Sequence, residues 1–525
     1  MQPAINEFRG DKVDSYARAT IYEGFPFFFY ELSAPTLTED EAIVNEALTS
    51  LILGKLGADE LETRYGGFFS KEFVYQFKEK VIKPITYAEG LEYLMRTEDM
   101  AAMRLSLMAL LREFFPTSAN SAVIAEMILE NSSGYGKISE LLTDDNLEEI
   151  MVNGYDRNVF VFHRKYGHCK TNIDFSNKKF LDELVQKIAR SVGKKVDSDH
   201  PMLDARLPDG NRANATYSFV TPFGPTLTIR KFTAVPLTIV DLIENRTLTS
   251  ELAAFLWVMV EGMGVEPQNL IITGGSSSGK TTTLNALSVF VRFSERIISI
   301  EDTLELQLGN RDNWVQMETR PKLKGQEGVG MNDLLKNALR MRPDRLIVGE
   351  VRGPEAQTMF VAMDTGHKGI LGTLHSNNAR EMLLRLKSDP MNVPDELVPL
   401  LNLVLVQYRL FVKGVGWQRR IFTVTEISSM ERQALVSNIY EWDGKIDGIK
   451  RTDIPMRLIE VLASKAMKTK KDVEKEIFIR KKILDWMISN GVRSLQEVEL
   501  VVQQYYYDPD SLLKKVLAGN SDISS

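Results

Sequence analysis

NLIIT (269–273), GGSSSGKT (274–281) and TTLNALSVF (282–290) follow one another without a break, and their reading decides the fold. A short apolar run stops at a glycine loop and gives way to helix formers, so the spacing predicts strand, loop and helix in that order. The loop fits the pattern Gly, four residues, Gly-Lys-Thr, the Walker A arrangement. Its glycines let the backbone curl until successive amides face phosphate oxygens, and the helix N-terminus adds partial positive charge. The expected nucleotide-binding set is Gly274, Gly275, Ser276, Ser277, Ser278, Gly279, Lys280, Thr281 and Thr282. Lys280 suits the β and γ phosphates of ATP, and the Thr281 hydroxyl suits Mg²⁺.

Downstream, two more apolar runs end in acids. IISIEDTLEL (297–306) brings Glu301 and Asp302 to a strand end, where paired carboxylates can hold hydrated magnesium or act as base. RLIVGEVR (345–352) puts Glu350 at the carboxyl end of another strand, the end at which parallel sheets bind ligands, with Gly349 where an Asp is usual. Either Glu301 or Glu350 can orient or deprotonate an attacking water, and the residues leave that choice open. GHKGILGTLHSN (366–377) carries two of the five histidines, His367 and His375. No third ligand stands at metal spacing, which favours hydrogen bonding to phosphate or to a switch acid over a metal pair.

Working outward, 525 residues exceed what one core can fill, and three or four domains are expected. Residues 1–130 read as a helical extension, with helices near 39–56, 71–81 and 100–115. They follow an aromatic segment, FPFFFYEL (25–32), for which a buried strand is preferred to a docking surface. NSSGYGK (131–137) punctuates the chain and opens a smaller α/β domain over 131–235, with strands at 158–163 and 226–231, a helix at 179–192, and a Pro208-Asp209-Gly210 turn between Arg206 and Arg212. Residues 236–430 have the rhythm of a parallel sheet covered by helices. Residues 431–525 read as mainly helical.

Composition narrows the function classes. Acids outnumber bases 71 to 64, so the chain as a whole does not attract a polyanion and no nucleic-acid partner is expected. One cysteine, Cys169, excludes an intrachain disulfide and a multi-cysteine zinc site, and fits a reducing compartment. The N-terminus has no signal-peptide core. The most apolar later run, 397–412, is interrupted by Pro399, Asn402, Gln407 and Arg409 and falls short of the ~20 residues of a spanning helix. Export is not expected, and a membrane role would have to come through a partner.

In order, GGSSSGKTTTLNAL, ISIEDTLEL, TRPKLKGQEG, ALRMRPDRLIVGEVRGPEA and TGHKGILGTLHSNN resemble the type II/type IV secretion ATPase superfamily. The resemblance covers about residues 138–430 and takes in DARLPDGNRANA (204–215) and LTIRKF (227–232). It implies an α/β fold with a RecA-like phosphate-loop ATPase core, a smaller N-terminal α/β domain, and assembly as a homo-hexamer. It also implies that Glu301 and Asp302 form an Asp box, Glu350 an acidic strand motif and His375 a His box, with Thr281, Glu301, Asp302 and Glu350 around Mg²⁺. Arg206, Arg212 and Arg230, with Arg340 or Arg342, match arginines of which one or more reach the γ-phosphate, often across a subunit boundary. The flanks look most like archaeal members that power type IV pilus-like filaments, secretion or the archaellum. That implies a cytoplasmic chain held peripherally at the inner face of the cell membrane by a partner, a polytopic membrane platform protein, with pilin-like subunits moved indirectly. Filament assembly or protein secretion is preferred to archaellum rotation, and a nucleic-acid-translocating ring ATPase is the alternative of another class.

Overall fold

A computed structural model describes residues 8–519 except 34, 36, 54–55, 66–67, 85–96, 117, 119, 133, 177, 232–235, 321–326, 413–414 and 431–432. The chain forms two compact units, residues 1–233 and 234–525, each with its own sheet.

The sheet of the first unit has, among the described residues, nine strands: β1 (Phe8–Tyr16), β2 (Ala19–Phe25), β3 (Phe28–Leu32), β4 (Leu147–Asn153), β5 (Asn158–His163), β6 (Gly167–Asp174), β7 (Met202–Arg206), β8 (Arg212–Thr216) and β9 (Thr226–Arg230). They are ordered β1-β2-β3-β6-β5-β4-β9-β8-β7, antiparallel except where β3 runs beside β6. The helix Lys178–Ser191 buries Leu181, Leu184, Val185, Ile188 and Ala189, a stripe at helical spacing, in the same core as the strands' inward residues. Cys169 is buried there as a free thiol.

This sheet corrects the expected division at residue 130. Residues 8–32 are strands of the same sheet as residues 147–230. The helical part lies between them, where helices including Glu39–Ile52, Thr97–Phe114 and Ser121–Ser132 enclose a separate core around Leu48, Phe73, Leu107 and Ile128. The reason is a polar anchor that strand patterning does not reveal. Tyr30 and Tyr16 both donate to Asp144 Oδ2, at 2.7 and 2.9 Å, and Tyr16 Oη meets His163 Nε2 at 3.0 Å. Within the aromatic segment Tyr30 is buried while Phe25 is 61% exposed, so that segment divides between core and surface.

The second sheet also has nine described strands: β10 (Leu270–Thr273), β11 (Ile297–Glu301), β12 (Trp314–Glu318), β13 (Arg345–Val351), β14 (Leu371–Leu374), β15 (Leu403–Val412), β16 (Gly416–Met430), β17 (Gln433–Asp443) and β18 (Gly448–Arg451). The order is β12-β11-β13-β14-β10-β15-β16-β17-β18, parallel from β12 to β15 and antiparallel beyond. Every residue of β10, β11 and β14 is buried, as a sheet covered on both faces requires. The expected boundary at 430 is corrected as well. The sheet continues through β17 and β18, and the four terminal helices from Arg457 share one core with the helix Ser250–Glu261 and the helix after β10.

Side chains of the terminal helices reach the end of the helix Lys280–Ser288. Tyr506 Oη donates to Phe290 O at 2.8 Å and accepts from Trp257 Nε1 at 2.7 Å, and Gln503 Nε2 donates to Val291 O at 3.0 Å. Arg311 adds a bond to Val291 O at 2.8 Å and is paired with buried Glu499 at 3.5 Å. Glu261 joins Arg292 at 2.9 Å and Arg480 at 2.8 Å in the same layer. Among the described residues no helix is long and apolar enough to cross a membrane.

Candidate active site

β10 ends at Thr273 and the loop begins on Gly274. A Cβ there would lie 2.1 Å from the Gln407 carbonyl oxygen, so a side chain would collide with β15. Gly279, at φ 94°, caps the helix Lys280–Ser288 in a left-handed conformation that suits glycine. Lys280 Nζ folds back to donate to Gly274 O at 3.1 Å and Gly275 O at 2.9 Å. Thr281 and Thr282 stand half-buried in the first helical turn. Ser278 is buried and its hydroxyl has no hydrogen-bond partner among the described residues. An orphaned hydroxyl in a loop at a helix N-terminus, with an ammonium alongside, fits an oxyanion ligand.

The remaining acids lie along the same sheet edge because β10, β14, β13 and β11 are parallel neighbours. Thr273 is paired with Leu374, Leu374 with Val351, and Ile300 with Val348. His375, Glu350 and Glu301 therefore leave the strand ends one, two and three strands from the loop, in steps of about 4.8 Å. Glu350 is half-buried and bonded to Arg352 at 2.5 Å. Burial pushes its carboxyl up, but the bond to Arg352 and the fields of Arg352, Lys280 and His375 outweigh that and hold it below the ordinary range. It is the acid whose charge the loop lysine stabilises. Asp302 is exposed and lies 3.8 Å from the same Arg352.

Glu301 is different. It is 2% exposed, its Oε2 accepts the amides of Glu305 at 2.8 Å and Leu306 at 3.1 Å, and its Oε1 has no hydrogen-bond partner among the described residues. Burial pushes this carboxyl up to about 7, against the opposing pull of those two amides. Gly349 stands where an Asp is usual because a Cβ there would lie 2.9 Å from Glu301 Cγ. Among the described residues no group of three His, Cys, Asp or Glu side chains could hold a metal alone. The donors instead fit Mg²⁺, which keeps several waters and binds through one or two carboxylates together with substrate phosphates.

The two histidines separate. His375 follows the carboxyl end of β14, while His367 precedes its start, so they sit at opposite ends of the strand. Arg340 and Arg342, both exposed, precede β13 and lie at the end of the sheet opposite the loop. Of TRPKLKGQEG, residues 321–326 lie outside the described residues. In the first unit Arg206, Arg212 and Arg230 are direct cross-strand partners, one row across β7, β8 and β9. Asp204 holds Arg212 in a two-point bond at 3.0 and 2.7 Å. Like charges set opposite one another repel, and a bound anion would relieve that.

Sequence reasoning missed Gln407 and Arg419. Gln407 Oε1 accepts from Thr283 at 2.9 Å, and Arg419 Nε donates to Ser277 O at 3.2 Å. The signal was Gln407 itself, a polar residue within an apolar strand run.

A family model described as Type II/IV secretion system protein matches residues 131–420. The protein MJ0781 of Methanocaldococcus jannaschii is 32% identical, over 73% of this chain and 76% of its own. The probable conjugal transfer protein TrbB of Sinorhizobium fredii is 32% identical over 47% of this chain and 72% of its own. Among solved structures, the VirB11 ATPase of the Brucella suis type IV secretion system, in complex with sulphate, is 25% identical with a TM-score of 0.28, over 55% of this chain and 92% of its own. A match over more than half the sequence, spanning the phosphate loop, both acidic strand ends and the arginine row, establishes that this chain belongs to the type II/IV secretion system ATPase superfamily.

Proposed function

We propose that the chain is an ATP-hydrolysing motor subunit that works as a homo-hexamer on the cytoplasmic face of a polytopic membrane platform protein. Its output would be assembly of a type IV pilus-like filament or protein secretion, with archaellum rotation as the runner-up. The observation that carries the reading is the placement of Lys280, His375, Glu350 and Glu301 along one edge of a parallel sheet, with Glu350 ionised in the field of Lys280.

The loop amides and Lys280 bind the β and γ phosphates, and His375 hydrogen-bonds from the adjacent strand end. Thr281, Glu350 and Asp302 would hold Mg²⁺, which would supply charge neutralisation to the phosphates. Glu350 orients the attacking water and takes its proton. Glu301, fixed to the amides of Glu305 and Leu306, holds the segment beyond β11 in place and is the alternative base. The row Arg206, Arg212 and Arg230 offers guanidinium charge suited to a phosphate, the role that the family resemblance implies for one or more of these arginines.

The test is ATP turnover of the purified full chain. Lys280→Ala should abolish nucleotide binding, and Glu350→Gln should retain binding while losing at least ~100-fold in kcat. Turnover equal to wild type in both variants would refute the assignment. Similarity to conjugal transfer proteins supports a nucleic-acid translocase, and the acidic balance weighs against it. DNA-stimulated turnover that weakens with added salt would replace the filament reading.

A further inference from the structure

We propose that the β15–β16 hairpin is the shelf for the ribose and purine of the bound nucleotide, with Trp417 and Arg409 as its stacking platform and Arg419 at its phosphate end. This rests on the nucleotide reading given above and extends it to residues that the phosphate-loop motifs leave unassigned.

Direction comes from the sheet order. Strands β14, β13 and β11, at whose carboxyl ends His375, Glu350 and Glu301 stand, lie on one side of β10, while β15 and β16 lie on the other. A γ-phosphate placed towards Glu350 sends the rest of the nucleotide over β15 and β16. The hairpin face that meets the loop is identified by Gln407, which bonds Thr283, and by Arg419, which bonds Ser277 O. A Cβ on Gly279 would lie 3.0 Å from both side chains, so they touch the loop's last turn.

Side chains alternate along a strand, so Arg409 and Phe411 follow Gln407 on this face, and Trp417 accompanies Arg419. The register agrees, with Arg409 opposite Arg419 and Phe411 opposite Trp417. Moving outward from the loop, the face therefore changes from amide and guanidinium to aromatic. The Arg409 guanidinium lies 4.3 Å from the Trp417 ring centroid, and Phe411 packs edge-on to Trp417 at 5.5 Å while remaining 56% exposed. Cationic groups next to phosphate, followed one residue pair further by accessible aromatic rings, match a nucleotide read from its phosphates to its base.

The discriminating experiment compares ATP with inorganic tripolyphosphate, each with Mg²⁺, by titration calorimetry on the full chain. Trp417→Ala should weaken ATP roughly 10-fold, raise KM without changing kcat, and leave tripolyphosphate within about two-fold of wild type. Trp417→Phe, which keeps an aromatic face and guards against misfolding, should recover most of the loss. Unchanged ATP affinity in Trp417→Ala, or equal weakening of ATP and tripolyphosphate in both variants, overturns the shelf. If Lys280→Ala binds both ligands like wild type, the phosphate-loop reading fails instead.

Discussion

Gly349→Ala should damage the site through Glu301, and the size of the effect follows from the geometry. The new Cβ would lie 2.9 Å from Glu301 Cγ and 3.4 Å from its Cβ, close to the backbone end of the side chain. Glu301 must rotate away, and the amides of half-buried Glu305 and buried Leu306 lose their acceptor. Overpacking of this kind costs about 1–3 kcal/mol, and each orphaned amide about 1–3 kcal/mol more. Glu301→Ala orphans the same two amides but makes room for the methyl group added at position 349. The double variant should therefore be more stable than the sum of the single changes by about 2 kcal/mol, a coupling typical of touching residues. All five tryptophans lie in the second unit, so their fluorescence during urea unfolding of the full chain reports that unit alone. Additive single changes would refute the claim that Gly349 exists to accommodate Glu301.

Two further outcomes test other parts of the molecule. His163 accepts from the Lys165 amide at 3.0 Å, and burial first of all pushes its pKa down to about 4. It is thus neutral in the fold and takes up its proton more readily when unfolded. Its contribution, about 3 kcal/mol for this shift, is complete above pH ~6.5 and disappears as pH falls towards 4. Hydrogen exchange over 147–174 should accelerate across that window in wild type and much less in His163→Gln. Arg311→Met would strand buried Glu499 and should cost about 3–5 kcal/mol, and adding Glu499→Leu should restore most of it in the same fluorescence assay.

What could be read in advance was local chemistry. The strand, loop and helix around Lys280, the acid-ended runs at Glu301 and Glu350, and the helix found at Lys178–Ser191 follow from short-range patterns that need no knowledge of neighbours. Strand partners in distant sequence could not be read. The pairing of Phe28 with Cys169 joins residues far apart in the chain, and β3, half-buried except at Tyr30, carries too little alternation to signal it. The same limit hid Arg419, whose role depends on β16 folding back beside β15. Gly349 read as a departure from a motif until its neighbour on β11 was known. The boundary at 430 failed because the end of a family resemblance is not a break in hydrogen bonding, and β17 continues the ladder.

A helix behaves as a stiff rod over its nine residues, about 13 Å here, so neither tip of Lys280–Ser288 moves independently of the other. Its front tip carries Lys280 at the end of the glycine loop, and its rear tip is seated in a socket built by Arg311, Gln503 and Tyr506. The last helices of the chain are therefore the footing of that rod rather than an appendage. A chain shortened before Gln503 would leave Phe290 O without Tyr506 and Val291 O without Gln503, and the rod without that footing.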